Sequence, residues 1–198
     1  MRILLKFVQI VDAISERLGS LITLVVVATV AVGFYNVVAR YLGRFLGMQL
    51  SSNTFIELQW YMYSVVFLLG FAYILKRGIN VRVDFLYSKW PRKRQATVDF
   101  WGHLFFLVPF CLIGIWVSIN PVLASWGRLA NGSWGPWEMS PDADGLPRAP
   151  LKTMIIVGFV LLALQALAEL IKLYATMSAR QEILIADKAD TDQPLRIE

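Results

Sequence analysis

The chain has 198 residues, of which 57% are hydrophobic and 17% charged; soluble domains run about 45–50% apolar and about 25% charged. The composition therefore excludes a water-soluble enzyme. It also excludes a single membrane anchor joined to a catalytic domain, because no polar stretch reaches the roughly 50 residues that a small domain needs.

A single Cys (Cys111) and a single His (His103) leave no intrachain disulfide, no Cys/His metal cage and no haem held by two His of this chain. No phosphate-binding loop and no dinucleotide fingerprint is present. The net charge of +5 sits beside apolar blocks, where membrane topology explains it better than nucleic-acid binding does.

Residues 1–18 carry Ile3, Phe7, Ile10, Ile14 and Leu18 at helical spacing, with Lys6, Asp12, Glu16 and Arg17 between them. This predicts an N-terminal amphipathic helix lying at the interface before the chain turns into the membrane. A cleaved signal peptide fits less well, since the apolar core is long and no clear small-residue cleavage site follows it.

Four apolar blocks come next, at residues 19–39, 55–75, 98–119 and 154–173. About 20 residues at ~1.5 Å each cross a ~30 Å hydrocarbon core. Lipid cannot satisfy open backbone, so all four must be helices. The expected fold is an all-α membrane protein of four transmembrane helices in one domain, residues 1–177, with a polar tail at 178–198. Pro109 falls inside the third block, where a kink is expected. Residues 120–150 hold five Pro and three Trp and read as an ordered, Trp-anchored loop.

Fourteen of the 19 Lys and Arg lie before the first block, between the second and third, and from the end of the fourth onward. The positive-inside rule then puts both termini and residues 76–94 in the cytoplasm, and residues 120–150 in the periplasm.

Few polar groups stand within the blocks. Glu57, Gln59 and Trp60 open the second, and Arg40 closes the first at the same membrane end, so an Arg40–Glu57 ion pair is expected. Arg82 and Asp84 alternate with Val81 and Val83 after a turn at Gly78, which reads as an extended segment. His103 lies one turn after Asp99. Gln165, Glu169 and Lys172 share one face, with Glu169 and Lys172 spaced to pair.

In order and spacing these pieces resemble the small membrane subunit (DctQ type) of tripartite ATP-independent periplasmic (TRAP) transporters. Asn36-Val37-Val38-Ala39-Arg40-Tyr41 closes the first block and Glu57-Leu58-Gln59-Trp60 opens the second. Leu69-Gly70-Phe71-Ala72-Tyr73 leads into Lys76-Arg77-Gly78-Ile79-Asn80-Val81-Arg82-Val83-Asp84. Trp137-Glu138, Ser140-Pro141 and Gly145-Leu146-Pro147 mark the long loop. The likeness covers about residues 15–175.

The resemblance implies a non-catalytic, multi-pass subunit of the bacterial inner membrane. It implies two partners, a large membrane subunit and a periplasmic solute-binding protein that delivers an organic acid. No cofactor is expected in this chain; Na+ or H+ coupling belongs to the large subunit. Arg40, Glu57, Gln59, Trp60, Arg82 and Asp84 are candidates for structural or subunit contacts. Trp134, Trp137 and Arg148 are candidates for docking the binding protein. The alternative is a membrane anchor of a quinone-linked oxidoreductase.

Overall fold

A computed structural model describes residues 2–79 and 84–178, apart from the side chains of Arg2, Asp84 and Leu86. The described residues are helical or loop. The helices are α1 (Arg2–Leu46), α2 (Asn53–Arg77), the short α3 (Asp84–Tyr87), α4 (Arg92–Gly102), α5 (Val108–Ser125) and α6 (Arg148–Met177), with a π-helical turn (His103–Leu107) joining α4 to α5. Four stretches are long and apolar enough to cross a membrane: Ile3–Leu46, Asn53–Arg77, Arg92–Ser125 and Arg148–Met177. Val27, Val30 and Phe34 of α1 are 62, 66 and 71% exposed. Apolar surface of that extent requires lipid or another apolar chain to cover it.

The chain divides into two compact units. The first comprises residues 1–16, 72–113 and 160–198. Its core is Val8 and Val11 of α1 on Ala168 of α6, flanked by Phe7, Leu164 and Ile171.

One part of the expected N-terminal helix is corrected: it does not end before the first span. α1 runs without a break from Arg2 to Leu46, so the chain makes no turn after residue 18. Ile3, Ile10 and Ile14 are exposed, whereas Val8, Val11, Asp12 and Ser15 are buried. In an apolar solvent the polar side chains turn toward protein and the apolar ones toward lipid.

Gly78 ends α2 in the left-handed region, at φ 63°. Its amide donates to the Leu75 carbonyl at 3.1 Å and the Ile79 amide donates to Ile74 at 3.3 Å, the two bonds of a Schellman cap. The expected turn at Gly78 is therefore present.

The π-helical turn has its cause in Pro109. Proline has no N–H to give to residue i−4, and its ring crowds that residue's carbonyl. The Val108 amide reaches back to His103 O, which widens the turn just ahead of the proline. Cys111 is fully buried beyond it.

The second unit comprises residues 17–71 and 114–159. Here α2 and α6 meet closely at Gly158, where a Cβ would stand 2.9 Å from the Leu68 carbonyl oxygen. Small residues at such crossings let membrane helices approach.

The long loop is shorter than its sequence suggests. Pro121 lies inside α5 and Arg148, Ala149 and Pro150 form the first turn of α6, a position where proline loses no hydrogen bond. The connecting loop is thus 126–147. It folds on itself through antiparallel bridges Arg128–Trp134 and Met139–Pro147.

Candidate functional site

In the second unit the site is the fold of loop 126–147 on α2 and α6. Glu57, one turn into α2, is 2% exposed. Its carboxylate accepts the Ser140 hydroxyl and, at 2.5 Å, the Leu146 amide. Tyr61, one turn on, donates to the Leu146 carbonyl at 3.3 Å. At the start of α2, Thr54 donates to the Asp144 carbonyl at 2.7 Å. Residues 90 positions apart in sequence are thereby held as one element.

A second carboxylate fixes the other part of the loop. Glu138 accepts Lys152 Nζ at 2.5 Å and the Ser125 hydroxyl at 2.8 Å. Its amide donates to Ser125 O and its carbonyl accepts the Arg148 amide, each at 2.9 Å. Trp126 Nε1 donates to Thr153 at 2.8 Å, and the Trp137 ring packs edge-on against Trp126 with centroids 4.6 Å apart.

The Lys152 hydrogen bond, then the Ser125 hydroxyl, hold the Glu138 carboxyl below its usual range, helped by the charges of Lys152 and Arg148 and opposed by burial. A carboxyl with a depressed native pKa stabilises the fold above its unfolded value, and loses that contribution as pH falls through the native one. The loop should therefore keep its hydrogen-exchange protection down to the ordinary value of 4.5 and lose it progressively below. With exchange corrected for intrinsic rate, Glu138→Gln should flatten that dependence.

The other expected site residues separate from one another. The Arg40–Glu57 pair does not form. Arg40 is exposed and lines a different, polar cavity with Asn53 and Asp144. Glu57 takes its partners from the returning loop, and the nearby positive charge is Arg148. Arg148 is half-buried, with its Nε enclosed and without a hydrogen-bond partner among the described residues. Its charge acts on both Glu57 and Glu138.

Gln59 lies over Gly33 of α1, where a Cβ would meet its amide at 2.6 Å. Trp60 is 40% exposed and stands edge-on to Tyr61. Trp134 and Trp137 remain open, at 65 and 50% exposure. Arg82 lies outside the described residues, as does the side chain of Asp84, whose backbone opens α3 rather than continuing an extended segment.

In the first unit a buried polar cluster joins α1 to α6. The expected Glu169–Lys172 pair is present at 3.0 Å. Lys172 Nζ also lies 2.9 Å from Asp12 Oδ2. Gln165, fully buried, donates to Asp12 at 2.9 Å and accepts the Ser15 hydroxyl at 2.7 Å. Glu16 meets both Lys76, at 2.9 Å, and Arg77 at the end of α2. The signal for Asp12 and Glu16 was available as two carboxylates near membrane-span ends, which need cations when buried. His103 Nδ1 lies 2.7 Å from the Asp99 carbonyl oxygen, while the Asp99 carboxylate accepts the Tyr87 hydroxyl at 2.5 Å.

Two buried polar clusters and an exposed Trp loop describe a scaffold that holds a shape. Comparison with curated proteins and with solved structures gives no match. The model of the DctQ component of tripartite ATP-independent periplasmic transporters matches residues 29–176, a stretch that includes Glu57, the whole of loop 126–147 and α6 as far as Thr176. By that match the chain belongs to the DctQ family, a component of TRAP transporters.

Proposed function

We propose that this chain is the small, non-catalytic membrane subunit of an uptake system for an organic acid, driven by a Na+ or H+ gradient. A large membrane subunit would carry the substrate and ion sites, and a periplasmic solute-binding protein would deliver the substrate. The observation that carries this reading is the family match over residues 29–176. Glu57, Gln165 and Lys172 support it, because they are engaged in helix-to-loop and helix-to-helix contacts. The oxidoreductase-anchor reading gains no support from the match.

The proposed orientation puts both termini in the cytoplasm of a bacterial inner-membrane protein and loop 126–147 in the periplasm. Single cysteines at Gly132 and Arg92, in a background lacking Cys111, should label from the periplasmic and cytoplasmic sides respectively. Periplasmic labelling at Arg92 would reject this topology.

Reconstitution tests the function. This chain alone should give background uptake, with transport appearing once the large subunit and binding protein are added. In the complete system, alanine at Trp134 and Trp137 should raise the binding-protein concentration needed for half-maximal transport about tenfold or more, since exposed Trp side chains often dominate interfaces, while complex yield stays unchanged. Transport by this chain alone would overturn the accessory role. An unaltered concentration dependence would remove the loop from the docking surface.

A further inference from the structure

In the second unit the end of α1, the start of α2 and the tip of the loop enclose a polar cavity of about 520 Å³. Its walls include Arg40, Gln49, Ser51, Ser52, Asn53 and Asp144. Among the described residues neither Arg40 nor Asp144 joins an ion pair. A cation and an anion thus line one cavity without neutralising each other, among hydroxyl and amide groups that both donate and accept.

The surroundings are apolar. Tyr41, Leu42, Phe45 and Leu46 of α1 are 59, 50, 87 and 64% exposed, on the stretch that carries Arg40. Arg40 belongs to a helix apolar enough to span a membrane and stands two turns before its end. On the orientation proposed above, with the end of α1 at the periplasmic face, this cavity opens where a bilayer's headgroups meet its hydrocarbon. A soluble protein's side chain would have to pass that apolar rim to reach it, whereas a lipid headgroup arrives with its own acyl chains to cover Phe45 and Leu46.

We propose that this cavity binds the headgroup of a zwitterionic phospholipid with a primary ammonium, of the phosphatidylethanolamine class. Arg40 takes the phosphate, because a planar guanidinium offers paired donors to phosphate oxygens. Asp144 takes the ammonium, and Ser51, Ser52, Asn53 and Gln49 complete the hydrogen bonds. A quaternary choline has no N–H for Asp144, and a phosphatidylglycerol would set a net anion beside that carboxylate. The site therefore discriminates by headgroup, which a snorkelling arginine alone does not do.

The test is native mass spectrometry of the full chain in detergent, titrated separately with phosphatidylethanolamine, phosphatidylcholine, phosphatidylglycerol and free O-phosphoethanolamine. Wild type should retain phosphatidylethanolamine in preference to the other two lipids. Arg40→Gln should weaken that adduct roughly tenfold, the size of a lost charge-assisted hydrogen bond. Asp144→Asn, which suits the left-handed backbone at φ 57°, should erase the preference among headgroups while leaving lipid retention. Arg44→Gln, one turn away and outside the cavity wall, should change nothing. Equal losses at Arg40 and Arg44, equal retention of all three lipids by wild type, or tighter retention of free O-phosphoethanolamine than of the lipid would each overturn the proposal.

Discussion

Lys172→Met should be the most damaging single substitution in the first unit, at about 3–5 kcal/mol, the cost of breaking a buried ion pair from one side. Lys172 Nζ serves two carboxylates, Asp12 at 2.9 Å and Glu169 at 3.0 Å. The side chains of all three are 10–18% exposed. Without the ammonium, two like charges face each other among apolar neighbours, and Gln165 can donate to only part of what they need. The expected readout is a large drop in thermal stability in detergent. Lys172→Arg should retain most of it. Removing all three charges together, with Asp12→Asn and Glu169→Gln added, should recover much of the loss, since what hurts is the uncompensated charge. A Lys172→Met protein as stable as wild type would mean that the cluster is solvated and holds nothing.

Asp12 shows what the sequence could and could not convey. Four spans were legible because lipid tolerates only long apolar helices, and that constraint acts residue by residue. The buried face of residues 1–18 was not legible by the same rule. Amphipathicity tells which face differs from which, but not which side is water. Read as an interfacial helix, the stripe of Ile3, Ile10 and Ile14 points into the membrane and Asp12 points to water. In the structure the same stripe is exposed and Asp12 is buried against α6. What surrounds Asp12 depends on a contact with a residue 153 positions later, which no local pattern contains. Glu169 and Lys172 were legible because their partner lay one turn away.

The loop is legible to a similar extent. Its Pro and Gly content correctly implied an ordered, non-helical connection. Both ends of the loop fall inside the expected 120–150: Pro150 sits in the first turn of α6, where proline costs nothing, whereas Pro121 lies inside α5 near its C-terminal end. By topology alone Arg40 is the cation to expect beside Glu57. The structure satisfies Glu57 with a hydroxyl and a backbone amide from the loop's return. Sequence arithmetic counts charges and overlooks amides, although amides are the commonest donors in any fold. The ordered pieces Glu57-Leu58-Gln59-Trp60, Ser140-Pro141 and Gly145-Leu146-Pro147 are largely one contact written in three places.

Glu57→Ala should free that contact and loosen the loop. The Leu146 amide and the Ser140 hydroxyl would lose their acceptor together, and a buried donor left without one loses far more than a mean hydrogen bond contributes. Hydrogen exchange over residues 140–147 should quicken by about tenfold or more, the scale of one such loss read as local opening. Glu57→Gln keeps an acceptor oxygen and should fall between Ala and wild type. Ser140→Ala removes one of the two donors, so adding it to Glu57→Ala should have little further effect, the non-additivity expected of direct partners. Arg40→Gln should leave the loop's exchange unchanged, because Arg40 makes no hydrogen bond or ion pair to the loop among the described residues. If Arg40→Gln loosened the loop as much as Glu57→Ala does, the carboxylate would depend on Arg40 after all, and the loop's anchor would be an ion pair rather than a hydroxyl and an amide.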